Sequence, residues 1–167
     1  MIRFKNAVRA AVGVLALLVI APSSAQAPEK KQTAARILKW PAADKKQHHL
    51  ILQVNTNDPA MMNLALNNAT NVAQYYKDRG ENVKIEIVTF GPGLHMLRDD
   101  TSPVKTRIKA IAESTPAISF KACGNTQENM RKAENKDILL IPQAKLVKSG
   151  VVRVMELQER GWSYVKP

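Results

Sequence analysis

Short apolar runs alternate with amphipathic segments from residue 48 to the end of the chain, and this alternation is the strongest constraint on the fold. Buried strands of parallel sheets are short apolar runs, whereas surface helices repeat apolar residues every three or four positions. Strand-like runs lie at residues 49–55, 83–90, 117–122, 145–148 and 163–165, and helical segments at about 59–79, 102–114, 125–134 and 151–160. This order predicts a three-layer α/β/α sandwich with a mainly parallel sheet of about five strands.

The loops that follow the strands should meet at the carboxyl edge of such a sheet, where α/β folds bind their ligands. Three of the four loops contain glycine, which lets backbone N–H groups approach a ligand closely. The candidate ligand-binding residues in these loops are Asn55, Gly91, Gly93, Gly124, Asn125, Ser149 and Gly150.

The first 25 residues have the layout of a secretory signal peptide. A basic segment is followed by the apolar run 10–21 and by the small residues PSSAQA. Cleavage is predicted after Ala25 rather than after Ala27, because Pro28 would follow the second site directly. The chain is therefore predicted to be periplasmic and free of the membrane after cleavage, with an uncleaved N-terminal anchor as the alternative. The predicted organisation is a signal peptide at 1–25, a leader arm at 26–47 and one α/β domain at 48–167.

Cys123 is the only cysteine and the candidate catalytic residue. It ends the third predicted strand, and Asn125 is predicted to cap the next helix, with Glu128 completing a capping box. The positive end of the helix dipole and its free N–H groups favour a thiolate, the reactive form of cysteine. The alternative is a small buried apolar residue. An unpaired thiol in an oxidising compartment favours the first interpretation.

Three motifs resemble the DsrE/DsrF-like family: GPGLHML at 91–97, ACGNT at 122–126 and SGVVRVMELQERGWSYVKP at 149–167. The resemblance covers residues 48–167 with the motifs in family order. It implies a three-layer α/β/α domain, a homo-oligomer or hetero-oligomer, and a sulfur donor or acceptor protein as partner. It also implies that a loop cysteine, here Cys123, accepts sulfane sulfur as a persulfide, and no cofactor is expected. The alternative is a non-catalytic binding module for a small anion or a protein partner.

Other chemistries are less consistent with the sequence. The chain has 25 Lys and Arg against 14 Asp and Glu, but its basic residues are scattered and no nucleic-acid motif accompanies them, so no nucleic acid is expected as a partner. The adjacent His48 and His49 should point to opposite faces of their strand, so at most one could join His95 and Cys123 around a metal. No metal site is predicted. His95 is instead a candidate for polarising the thiolate, or a loop histidine without a role.

Asn63, Asn67 and Asn71 form a ladder with a spacing of four residues on the first helix. Asparagine is a poor helix former, so three of them on one helix face indicate a role other than helix formation. The ladder faces either the carboxyl-edge pocket, a subunit interface or solvent.

Trp162 and Tyr164 lie two residues apart in the last strand and should share one face of it. They are expected to bury a large area, either beneath a helix or against a neighbouring subunit.

Overall fold

The computed structural model describes residues 46–167. The predicted signal peptide, its cleavage site and nearly all of the predicted leader arm lie outside these residues. None of the helices within 46–167 is both long enough and apolar enough to cross a membrane.

Residues 46–167 contribute five strands to the sheet, and every neighbouring pair among them is parallel. The spatial order is β4-β3-β2-β1-β5. The strands are β1 (Gln47–Val54), β2 (Asn82–Thr89), β3 (Ile118–Cys123), β4 (Ala144–Val147) and β5 (Ser163–Val165). The predicted parallel α/β architecture is confirmed, and β5 has the predicted bounds.

Four α-helices connect the strands: α1 (Pro59–Asp78), α2 (Lys105–Ser114), α3 (Gly124–Glu134) and α4 (Gly150–Glu159). Local chemistry fixes both ends of α1. The Asp58 carboxylate accepts a hydrogen bond from the N–H of Ala60 at 2.8 Å, and Gly80 beyond the helix has φ +68°.

Two segments between β2 and β3 differ from the prediction. The helix α2 begins at Lys105 rather than near Ser102, with Val104 as its N-cap residue. The segment Gly91–Leu97, which begins in the loop predicted after the second strand, forms a 3₁₀ helix.

The two faces of the sheet are covered unequally. On one face α1, α2 and the 3₁₀ helix pack over the larger core, which includes Leu52, Ile87 and Phe120. On the other face, α4 is the one helix of residues 46–167 that packs, through Val154 and Leu157, over a small core formed with strand residues. Helices on both faces make the three layers, and the face with α4 is the one that carries Cys123.

Candidate functional site

Cys123 is the last residue of β3 and the N-cap residue of α3, with extended backbone angles. The predicted capping box at Asn125 is therefore wrong: α3 begins at Gly124, two residues before the first position that a cap at Asn125 would give. Glu128 does not cap the helix either, since its carboxylate pairs with Arg131 at 2.7 Å. The correction moves the cysteine closer to the helix N-terminus than the sequence suggested, because Cys123 itself occupies the cap position.

The turn before α4 lies against the cysteine. A Cβ atom at Gly150 would lie 3.2 Å from the Cβ of Cys123 and 2.8 Å from the Cδ1 of Phe90. The carbonyl of Lys148 accepts a hydrogen bond from the N–H of Asn125 at 3.2 Å. As a result only 4% of Cys123 is exposed.

Thr126 connects the cysteine to the loop after β2. Its Oγ1 accepts a hydrogen bond from the N–H of Gly91 at 3.0 Å, and Gly91 has φ +53°, a conformation that favours glycine. A hydroxyl has one hydrogen to donate. Because Gly91 supplies the hydrogen of this contact, the hydroxyl hydrogen of Thr126 remains for the Cys123 sulfur.

The environment of the sulfur favours the thiolate. Burial raises the pKa of the Cys123 thiol, but hydrogen bonding from the Thr126 side chain and from the backbone of Gly150, Thr126 and Asn125 outweighs it. The pKa is lowered from its ordinary value as a result. The thiolate is the nucleophilic form of cysteine, so this arrangement is suited to attack on an electrophilic sulfur.

The other predicted ligand-binding residues do gather at the carboxyl edge, but they contact one another. A Cβ at Gly93 would lie 2.2 Å from the carbonyl oxygen of Val54 and 2.8 Å from the Cα of Asn55, and one at Gly124 would lie 3.2 Å from the carbonyl oxygen of Val147. These glycines accommodate the chain's own backbone. Ser149 caps α4, accepting a hydrogen bond from the N–H of Val152 at 3.4 Å.

The histidines have partners elsewhere. His95 makes a 2.8 Å hydrogen bond to the Thr101 hydroxyl rather than polarising the sulfur. His48 contacts the Glu81 carboxylate at 2.6 Å, and His49 packs on Trp162 with ring centres 4.7 Å apart. Among residues 46–167, no group of three or more His, Cys, Asp or Glu residues is placed to hold a metal ion.

Sequence reasoning missed Thr126 and misjudged the asparagine ladder. Thr126 lies in the ACGNT motif, and its position three residues after the strand end is the signal that could have identified it. The ladder binds α2: the Arg107 guanidinium donates to Asn63 Oδ1 at 2.7 Å and also to Asn67 Oδ1. The remaining member, Asn71, lines cavities of about 670 and 570 Å³ at the amino edge of the sheet, opposite the cysteine.

Comparison with solved structures identifies two proteins to which this chain is similar. A protein of unknown function from Methanobacterium thermoautotrophicum is 26% identical, with a TM-score of 0.61, over 72% of this chain and 99% of that one. A conserved protein of unknown function from Bacteroides thetaiotaomicron is 18% identical, with a TM-score of 0.46, over 71% of this chain and 94% of that one. No protein-family model and no curated protein matches the chain.

Proposed function

We propose that this protein is an exported DsrE-like sulfur carrier that holds a persulfide on Cys123. The observation that carries the proposal is the set of hydrogen-bond donors around the sulfur, which lowers the pKa of the Cys123 thiol although the residue is buried. The three motifs that resemble the DsrE/DsrF-like family support it, because one of them contains Cys123 and another contains Gly91.

The reaction needs one thiolate and one sulfur donor. The Cys123 thiolate attacks the terminal sulfur of a donor persulfide, and a new S–S bond forms on Cys123 as the donor's S–S bond breaks. The donor thiolate leaves with the electron pair of the broken bond. No external oxidant is needed, because the sulfane sulfur is passed on at an unchanged oxidation level.

Burial gives the carrier a protected sulfur. Cys123 is covered by the turn at Ser149 and Gly150, so transfer requires this turn to move aside for the donor. Small donors and small oxidants alike therefore reach the sulfur only while the turn is open, and the closed turn slows both. A partner protein that displaces the turn is the donor or acceptor that this proposal implies.

Intact-protein mass spectrometry after exposure to polysulfide tests the proposal. The wild-type protein is expected to gain about 32 daltons, the mass of one added sulfur, with loss of the adduct on treatment with a reducing thiol. Cys123→Ser controls for sulfur bound elsewhere and should gain nothing. A wild-type mass that stays unchanged, or an adduct that Cys123→Ser also carries, overturns the proposal.

The alternative function is a non-catalytic binding module for a small anion or a protein partner. If the protein is such a module, the Cys123→Ser variant should still bind its ligand or partner. Substitution of Gly93 cannot test this alternative, because the backbone of Val54 and Asn55 occupies the space beside that glycine. Loss of function in a Gly93 variant would report misfolding.

A further inference from the structure

The face of the sheet that carries Cys123 also carries an unusual pair of lysines. Lys121 of β3 and Lys145 of β4 are register partners on neighbouring parallel strands. Register partners point to the same side of a sheet, and neighbouring strands lie about 4.8 Å apart. Like charges placed directly opposite each other destabilise a sheet unless something of opposite charge offsets them.

The nearest carboxylate is already engaged by another cation. Arg153 of α4 binds Glu86 with both arms of its guanidinium, Nε to Oε2 at 2.9 Å and Nη2 to Oε1 at 2.7 Å. Lys121 Nζ is 3.8 Å from the same carboxylate, a longer contact than a direct hydrogen bond. Arg153 and Lys121 therefore share the Glu86 carboxylate, and Glu156 lies 4.0 Å from Arg153 but is not paired with either lysine.

Lys121 is also partly desolvated. Its side chain is 13% exposed, and burial lowers the pKa of Lys121, with Lys145 and Arg153 acting in the same direction and Glu86 opposing them. A cation that has lost water without gaining a full counter-charge is an attractive position for an anion.

Lys121 lies two residues before Cys123 on β3, and both side chains lie on the same face of the sheet. Side chains alternate along a strand, so Lys121 and Cys123 point to the same side of β3, with backbone positions about 6.6 Å apart. Lys145 and Val147 flank them in register on β4. An anion held by the two lysines is therefore held beside the cysteine.

We propose that Lys121 and Lys145, supported by Arg153, bind the oxyanion end of a small sulfur donor of the thiosulfate class and direct its terminal sulfur to Cys123. This inference rests on the proposed function, and it names the class of donor. The Cys123 thiolate attacks the terminal sulfur of thiosulfate, forming the persulfide as the S–S bond of thiosulfate breaks. Sulfite leaves with the electron pair, and the lysines stabilise the charge that it carries.

The test compares two donors in matched variants. Lys145→Gln and Lys121→Gln each remove one cation of the pair, and Lys109→Gln removes an exposed cation on α2 over the opposite face. The rate of Cys123 persulfide formation from thiosulfate is expected to fall about tenfold or more in the first two variants, since a charge-assisted contact to an anion is worth ~1.5–3 kcal/mol. The rate from polysulfide, which has no oxyanion group, should stay within about twofold of wild type in all three.

The outcomes distinguish failure of the proposed oxyanion site from failure of the proposed persulfide carrier. Equal loss with both donors, or no loss with thiosulfate, overturns the oxyanion site while leaving a persulfide carrier in place. If neither donor modifies Cys123, the carrier fails, and thiosulfate titration of Cys123→Ser followed by NMR then decides about the site alone. Shifts of the Lys121 and Lys145 backbone amides that disappear in Cys123→Ser/Lys145→Gln support the anion site, and their absence from Cys123→Ser overturns it.

Discussion

Gly150 at the start of α4 packs directly on Cys123 at the end of β3: a methyl group at position 150 would lie 3.2 Å from the Cβ of the cysteine. The same methyl group would lie 2.8 Å from Phe90, which packs against the small core beneath α4. The first turn of α4 therefore covers Cys123, and any displacement of this turn changes how accessible the sulfur is.

Gly150→Ala tests this coupling. Alanine is the better helix former by ~0.5–1 kcal/mol, but the contact at 2.8 Å leaves no room for its methyl group, and overpacking costs ~1–3 kcal/mol. We expect net destabilisation in urea unfolding and faster alkylation of Cys123 in the folded protein. Val151→Ala, a change at an exposed neighbour on the same helix, serves as the control and should leave alkylation unchanged. Alkylation of Gly150→Ala at the wild-type rate would contradict the coupling.

Thr126→Val should raise the pKa of the Cys123 thiol. The substitution nearly preserves shape, removes the hydroxyl that favours the thiolate and leaves the burial that disfavours it. At a pH below the pKa the thiolate fraction, and with it the alkylation rate, should fall severalfold. Measuring the alkylation rate against pH separates this shift from a change in access, which would alter the rate equally at every pH.

Thr126→Ser is the matched control for that experiment because it keeps the hydroxyl. We expect its alkylation profile to follow the wild type. If valine and serine shift the profile by the same amount, the hydroxyl has no part in the effect. The contact from the N–H of Gly91 to Thr126 would then serve only to hold the loop.

Contacts between residues close in sequence could be predicted from the sequence, whereas contacts between distant residues could not. Asp58, Gly80 and Ser149 act as helix-end residues because capping depends on backbone groups within a few positions. By contrast, Glu86 and Arg153 are 67 residues apart and meet only because α4 crosses the face of β2. No local sequence pattern predicts such an ion pair.

The cysteine site shows the same division. Its position at the carboxyl edge follows from strand alternation alone, and the sequence predicted it. The predicted cap at Asn125 is wrong although asparagine is a favourable capping residue, because Cys123 holds the cap position. In the folded protein the N–H of Asn125 bonds to the carbonyl of Lys148, a residue on another strand's loop, so tertiary contacts decide where the helix begins.

Arg98 should make the protein sensitive to acid. Its guanidinium is 1% exposed and binds the carboxylates of Asp100 and Glu134. Hydrogen bonding from Arg98 lowers the pKa of Glu134 from 4.5 to about 2 and lowers that of Asp100 as well. A carboxylate whose pKa is depressed by folding stabilises the fold above its unfolded pKa, and this contribution is lost as the pH falls through its folded pKa. Stability should therefore decline between pH 4.5 and about 2.

Arg98→Met tests the origin of that decline. The variant should be less stable at neutral pH by about 1–3 kcal/mol, the cost of losing buried charge-assisted hydrogen bonds. It should also lose less stability than the wild type between pH 4.5 and 2, because hydrogen bonding from Arg98, the largest cause that lowers the pKa of both carboxylates, would be gone and the weaker effect of Lys136 would remain. Urea unfolding at a series of pH values measures both effects. Parallel stability profiles for the two proteins would assign the acid sensitivity to other groups.

The final prediction concerns the two aromatic residues of the C-terminal segment. Trp162 packs against the small core beneath α4, and Tyr164 is the register partner of Ile51 from that core, so both aromatics face the same side of the sheet as predicted. Trp162 is partly buried, whereas Tyr164 is 37% exposed and its hydroxyl donates to Gln53 Oε1 at 2.6 Å. Trp162 therefore packs beneath a helix of its own subunit.

Trp162→Ala should destabilise the protein by about 2 kcal/mol, below the ~3–5 kcal/mol of a fully buried tryptophan because part of the ring already contacts solvent. Tyr164→Phe, which removes one exposed hydrogen bond and keeps the ring, should cost no more than about 0.5–1 kcal/mol. Urea unfolding measures both variants, and a sizing column reports any change of assembly. If Trp162→Ala unfolds at a lower urea concentration and keeps the wild-type elution volume, the ring belongs to the subunit's own core. If it unfolds at the wild-type urea concentration and elutes later, the ring belongs to a contact between subunits.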